Sequence, residues 1–248
     1  MNDPAIVLSC ENLRKYYGQQ LILHDINLEL GQGELVSILG QSGSGKTTLF
    51  NVLTGMDKDA SGTVFRGSRI GYMLQKDMLL PWKRLIDNVA LPLVLAGENK
   101  KTAREKAAGY LSIFGLQGLE LRYPSRLSGG QRRRAAFLRT YLYSRNLMLL
   151  DEPFAGLDAI TRSQLYEWLL ENKEKLGISI LLITHDIEEA IALSDRIYVL
   201  SQGPPSTLWP PLQVKAKRYA DEKTDPGKWR TQTEDLREEI RRRIFTAI

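Results

Sequence analysis

Cysteine is almost missing from this chain: Cys10 stands alone among 248 residues. A single thiol cannot close an internal disulfide, which excludes a small cross-linked secreted scaffold and suits a reducing compartment. Cys10 falls in the apolar run IVLSC, where a small core residue is expected. Long hydrophobic runs are missing too. No stretch approaches the roughly 18–20 apolar residues that span a bilayer, so no transmembrane helix is expected. The opening MNDPAIVLSCENL lacks both a basic segment and a long apolar one, and no signal peptide is expected there. Charge of one sign is also scarce. The net charge is only +5, and residues 213–248 mix ten Lys/Arg with seven Asp/Glu. Such mixing reads as a solvated surface. A nucleic-acid partner would call for a one-sided basic patch with interleaved aromatics, and none is expected.

What remains is 43% hydrophobic and 25% charged, enough for one large domain with a substantial core. Strand-like runs open the chain: IVLSC, the alternating Ile26, Leu28 and Leu30, then ELVSILG. Short strands follow near Thr63–Phe65 and Ile70–Leu74. From about Pro81 to Tyr143 the pattern turns helical. The buried-looking strands LMLL and ISILLIT flank a helix over 159–176, and IEEAIAL with IYVLS closes the core. Residues 203–211, GPPSTLWPP, punctuate the chain. Strands alternating with helices predict an α/β fold with a mostly parallel sheet, an N-terminal antiparallel β part and a helical insertion over about 76–145. A domain over 1–212 is expected, followed by a basic tail over 213–248.

The stretch Gly40-Gln41-Ser42-Gly43-Ser44-Gly45-Lys46-Thr47, with Thr48 next, fits the phosphate-loop pattern. Glycines let the backbone N–H groups turn inward toward phosphate oxygens, and the following helix adds its positive end. Lys46 is expected on the β and γ phosphates and Thr47 on Mg2+. The pattern has a strand before it and a helix after it, which defines a nucleoside triphosphate site. Asp151 ends a hydrophobic strand about a hundred residues later, where a carboxylate can hold Mg2+. Glu152 beside it is placed to polarise an attacking water. Leu127-Ser128-Gly129-Gly130-Gln131 offers N–H groups and a hydroxyl at a helix start. One reading is a serine N-cap on a flexible turn. The other is a second anion cradle, which two copies of the chain would each offer to the nucleotide of the other in an isologous dimer.

Taken together, these motifs resemble the ATPase subunit of ATP-binding-cassette (ABC) transporters over residues 5 to about 210. In order they are Tyr17 before Gly18, the loop at 40–47, Gln75, LSGGQ at 127–131, LMLLDEP at 147–153, AGLD at 155–158, and His185. The resemblance implies a RecA-like phosphate-loop NTPase core that binds ATP with Mg2+. It implies that Tyr17 stacks on adenine, with Tyr16 a rival, and that Gln75 senses Mg2+ and the attacking water. Glu152 becomes the general base, His185 holds the γ-phosphate and Asp158 makes a cross-dimer contact. The chain departs in reading Arg132-Arg133-Arg134 after LSGGQ, where many relatives place a glutamine in the middle. That change is expected to alter the helix surface and not the anion cradle.

With one nucleotide domain and no span, the transport path is expected in separate permease subunits, with the chain at the cytoplasmic face of the membrane. DMLLPWKRLIDNVAL resembles importers of the nitrate, sulfonate, taurine and thiamine-precursor group, whose solute reaches the permease on an extracytoplasmic binding protein. The alternatives are an ABC exporter or lipid-transport ATPase, or a soluble ABC ATPase. Within MLLPW, Leu79, Leu80 and Trp82 are apolar residues ringed by charge. They are expected to dock the permease and to plug the joint between core and insertion, some of both, with one face inward. In the tail, Thr231 and Glu234 suggest a capping box, and Leu236, Ile240, Ile244 and Ile248 line one face. Glu238–Arg242 and Glu239–Arg243 are expected as ion pairs. The helix is read as an add-on that either packs on its own core or serves dimer contact or regulation, and removal of 230–248 is expected to spare nucleotide binding.

Overall fold

A computed structural model describes residues 5–214 and 226–245. It divides into two compact units, residues 1–68 with 177–248, and residues 69–176.

In the first unit, β1 (Ile6–Tyr17) and β2 (Gln20–Gly31) form an antiparallel pair, and β4 (Ser61–Arg66) adds to the other edge of β1. The alternation of Ile26, Leu28 and Leu30 is the reason: all three are buried, while Asn27 and Glu29 between them are exposed. The second layer is parallel. β3 (Leu35–Leu39) lies between β7 (Ser179–Thr184) and β8 (Arg196–Val199). β3 and β7 are buried at every position, as strands covered on both faces must be. The short β9 (Leu212–Gln213) runs antiparallel to β8. Helix α1 (Lys46–Thr54) follows the glycine loop, and α7 (Ile187–Leu193) follows β7, capped by the Asp186 carboxylate.

The last helix of this unit, here α8 (Pro226–Phe245), begins earlier than the Thr231–Glu234 box predicts. The Thr231 hydroxyl instead donates to the Gly227 carbonyl at 3.1 Å, one turn inside the helix. Trp229, Ile240 and Ile244 are buried against Leu39, Ile191, Ile197 and Val199, with Leu236 partly covered. The helix therefore packs on its own core, against β3 and β8. Apolar spacing showed the face; it could not show what the face packs on. Arg242 pairs with Glu239 rather than Glu238, joined there by Arg243. The two guanidiniums pull the Glu239 carboxyl down to about 2. Ile248 lies outside the described residues.

The second unit holds a parallel pair, β5 (Ile70–Met73) and β6 (Leu147–Asp151), and five helices. These are α2 (Leu85–Val89), α3 (Leu91–Leu95), α4 (Lys100–Leu111), α5 (Gly129–Tyr143) and α6 (Ala159–Leu176). Phe114, Phe137, Phe154, Tyr166 and Trp168 meet in edge and tilted ring contacts that knit α5 and α6 together. The structure is thus mixed α/β, with parallel strands at its core and an antiparallel N-terminal sheet.

Candidate active site

In the first unit, the phosphate-loop pattern sits between β3 and α1. Gly43 and Gly45 have φ of 82° and 88°, a left-handed backbone that only glycine adopts without strain. A Cβ at Gly45 would also come within 3.0 Å of the Leu23 side chain. Gly45 precedes α1 without a side-chain cap, so the N–H groups of the first turn stay open to an anion. Lys46 is 7% exposed and donates to the carbonyls of Gly40 (2.8 Å) and Gln41 (2.7 Å). Ser42 and Thr47 are exposed, Thr48 is half-buried and Ser44 is buried. His185 follows β7 directly and is exposed.

Tyr16 and Tyr17 are about equally exposed, at 46% and 50%, but they are held differently. The Tyr17 hydroxyl donates to Asp57 at 3.2 Å, and the Lys15 ammonium stands 4.8 Å from the ring centre. Lys15 is buried, bonded to the Asp57 carboxylate at 2.8 Å and to the Asp59 carbonyl at 2.6 Å. Those bonds raise the Lys15 pKa and lower that of Asp57, so both stay charged. Neither residue drew notice in the sequence, because their partners are more than forty positions away.

The second unit carries the carboxylates. Asp151 ends β6 and is 9% exposed, accepting from the Tyr72 hydroxyl at 3.4 Å. Burial and that carboxylate push the Tyr72 phenol well above its ordinary range. Glu152 has φ of 43°, left-handed for a residue with a Cβ, which is uncommon and gathers at functional sites. The Gln75 carboxamide donates to the Glu152 carboxylate at 3.1 Å. Two residues separated by 77 positions, both singled out by the resemblance, thus touch.

At the start of α5, Ser128 caps the helix by accepting from the Gln131 N–H at 3.2 Å, and Gln131 returns the bond to the Ser128 N–H at 2.9 Å. Leu127 is buried beneath this turn. Gly130 is required by close approach, because a Cβ there would meet the Thr161 methyl at 2.9 Å. Ser128, Gly130, Gln131 and Thr161 line an open cleft of about 240 Å³. Gly129 begins the helix beside them. Asp158 accepts from both the Thr161 N–H (2.9 Å) and hydroxyl (2.7 Å) at the start of α6, which lowers its pKa.

The MLLPW run divides into inward and outward residues, and the reading of the arginine run changes. Leu79 is 8% exposed and faces inward, whereas Met78 and Trp82 are 56% and 71% exposed; Leu80 lies between these extremes. The outward residues are therefore Met78, which sits at a left-handed backbone position (φ 48°), and Trp82. Nor is the arginine run after LSGGQ merely surface. Arg133 is 8% exposed, and its guanidinium reaches the Gln75 and Ala155 carbonyls. Arg139, one and a half turns on, holds the Asp77 and Met78 carbonyls at 2.6 and 2.7 Å.

A left-handed glycine loop between a strand and an uncapped helix start is the phosphate-loop arrangement of a nucleoside triphosphatase. Residues 23–155 match the family described as ABC transporter. The formylaminopyrimidine import ATP-binding protein ThiZ of Halalkalibacterium halodurans is 45% identical over 76% of this chain and 77% of its own length. The taurine import ATP-binding protein TauB of Escherichia coli K12 is 41% identical over 96% of this chain and 97% of its own. The aliphatic sulfonates import ATP-binding protein SsuB 1 of Paracoccus denitrificans is 41% identical, covering 81% of each. Among solved structures, a dimeric bacterial ABC transporter cassette aligns with TM-score 0.71 and 28% identity, over 84% of this chain and 99% of that one. The same cassette is known as a post-hydrolysis dimer with ADP and phosphate. The chain belongs to the ABC transporter family. It is an ATP-binding, ATP-hydrolysing subunit of the import type. Among the described residues, no helix is long and apolar enough to cross a membrane.

Proposed function

We propose that this subunit powers uptake of a small solute of the nitrate, sulfonate, taurine or thiamine-precursor kind by ATP-driven closure of a homodimer. Relatives named for taurine, sulfonates and formylaminopyrimidine support that solute class. Dimeric cassettes among the structural neighbours support the homodimer. The dimer works at the cytoplasmic face of the membrane on permease subunits, with exposed Trp82 and Met78 as anchors and Leu80 beside them. An extracytoplasmic binding protein delivers the solute to that permease. Nucleic acid has no part in it.

The contact between Gln75 and Glu152 carries the mechanism. Lys46 and the N–H groups from Gly40 to Thr48 hold the phosphates, Tyr17 stacks on adenine and His185 contacts the γ-phosphate. Glu152 takes the proton of the attacking water while the Gln75 carboxamide fixes its carboxylate. Leu127 to Gln131 cradles the nucleotide of the partner copy, and Asp158 lies at that junction. Thr47, Asp151 and Gln75 supply hard oxygen donors. One hydroxyl, one carboxylate and one amide oxygen are a donor set that fits Mg2+. Magnesium keeps several waters and takes one or two carboxylates plus phosphate oxygens. When bound it neutralises charge on the β and γ phosphates.

Glu152→Gln keeps size and hydrogen bonding but removes the base. It should retain ATP and run as a dimer on gel filtration with ATP and Mg2+, while hydrolysis falls at least a hundredfold. Turnover at the parent rate would exclude Glu152 as base. Labelled taurine, an alkanesulfonate and a formylaminopyrimidine, offered to cells with and without Lys46→Ala, identify the solute.

A further inference from the structure

Arg133 lies on the inward side of the first turns of α5, and its planar fork spans two loops. One nitrogen donates to the Gln75 carbonyl at 2.5 Å and the other to the Ala155 carbonyl at 3.2 Å. These are the loops that bear Gln75 and Glu152. The Gln75 side chain returns to Glu152 at 3.1 Å, and the Ala155 N–H donates to the Glu152 carbonyl at 3.2 Å. The path from Arg133 through Gln75 to Glu152 and back through Ala155 is closed. An arginine can bridge two carbonyls because its donors sit on separate nitrogens of one rigid plane. A glutamine donates from a single nitrogen.

We propose that Arg133 is a positioning residue for hydrolysis, holding the Gln75 carboxamide on Glu152 and tying both to the helix that starts at Ser128. The inference rests on reading Glu152 as the base. Burial lowers the Arg133 pKa, with Asp77 opposing and Arg132 adding to the shift, but a guanidinium starts so high that it stays protonated and its fork intact. The position of the LSGGQ turn is thereby passed to the catalytic contact through one side chain. Arg139 grips the same loop further along, at Asp77 and Met78, but touches neither Gln75 nor the 152–155 turn.

The test is steady-state ATP hydrolysis by the full chain carrying Arg133→Met, Arg133→Lys or Arg133→Gln, with thermal melting alongside. Misplacing a catalytic pair by about an ångström costs up to about a hundredfold in rate. Arg133→Met should lower kcat about tenfold or more with KM for ATP within about twofold. Arg133→Lys should recover part of kcat, because one ammonium can still reach a carbonyl. Should the methionine variant fail to fold, Arg133→Gln must show the same split to a smaller degree. Parent kcat in both variants overturns the proposal. So does a fall of kcat and KM-normalised rate in step with lost melting stability, which marks a purely structural brace. Glu152→Gln separates the two claims. If it turns over normally, the reading of the base fails. If it is silent while Arg133→Met keeps the parent kcat, only Arg133 loses its role.

Discussion

Cys10 is 1% exposed in β1, and its thiol donates to the Ile26 carbonyl at 3.7 Å. Burial there disfavours the thiolate and pushes its pKa up to about 12. Only the thiolate is nucleophilic, so native protein at pH 8 should resist iodoacetamide for hours and react within minutes once unfolded in urea. Mass spectrometry of the two samples checks this. The sign for stability follows. With the folded value raised, the neutral thiol contributes fully below the ordinary pKa near 9, and that contribution is lost as pH climbs toward 12. Cys10 was readable from its apolar neighbours. Asn88 was not. It is fully buried, and its amide accepts from the Leu80 N–H and donates to the Leu80 and Lys83 carbonyls, which fixes MLLPW as one rigid turn. Nothing in the run LIDNV marks that asparagine, because its partners are backbone groups whose positions the fold alone decides.

Among the elements, α8 shows most plainly what an amphipathic pattern leaves open. Its face was visible as a four-residue repeat, yet a helix packed on its own core and a helix awaiting a partner share that repeat. The structure puts Ile240, which is 0% exposed, into the cluster with Leu39 and Val199. Ile240→Ala should therefore cost about 2–5 kcal/mol of stability in urea unfolding, as for any large-to-small change in a closed core. A surface helix would lose under 1 kcal/mol or so. Arg237 adds a directed tie, donating through two nitrogens to Glu188 at 2.7 and 2.8 Å in the first turn of α7. That turn begins two residues after His185. The phosphate loop and the strand-end Asp151 and Glu152 were legible because their chemistry dictates residue type and spacing. The two loops gripped by Arg133 were not, since a buried arginine and a solvated one look alike in sequence.

For the molecule as a whole, the strand–helix alternation foretold a parallel sheet, but not which strands would be neighbours. β3 bonds to β7 and β8, which come more than a hundred residues later. The first unit is accordingly discontinuous, its two pieces lying on either side of residues 69–176. Chains emerge from the ribosome at about 5–20 residues per second. β3 and the glycine loop behind it must then wait on the order of ten seconds for their lateral partners. During that interval the run LVSIL is an unpaired strand, apolar but for Ser37, the kind of segment that aggregates or engages chaperones. A fragment comprising residues 1–176 contains the phosphate loop, Asp151, Glu152 and LSGGQ, yet it should bind no fluorescent ATP analogue where the full chain does. If that fragment is silent, the motif synthesised early becomes a binding site only when residues 179–199 arrive, and nascent chains should not sequester ATP before β3 is paired on both sides.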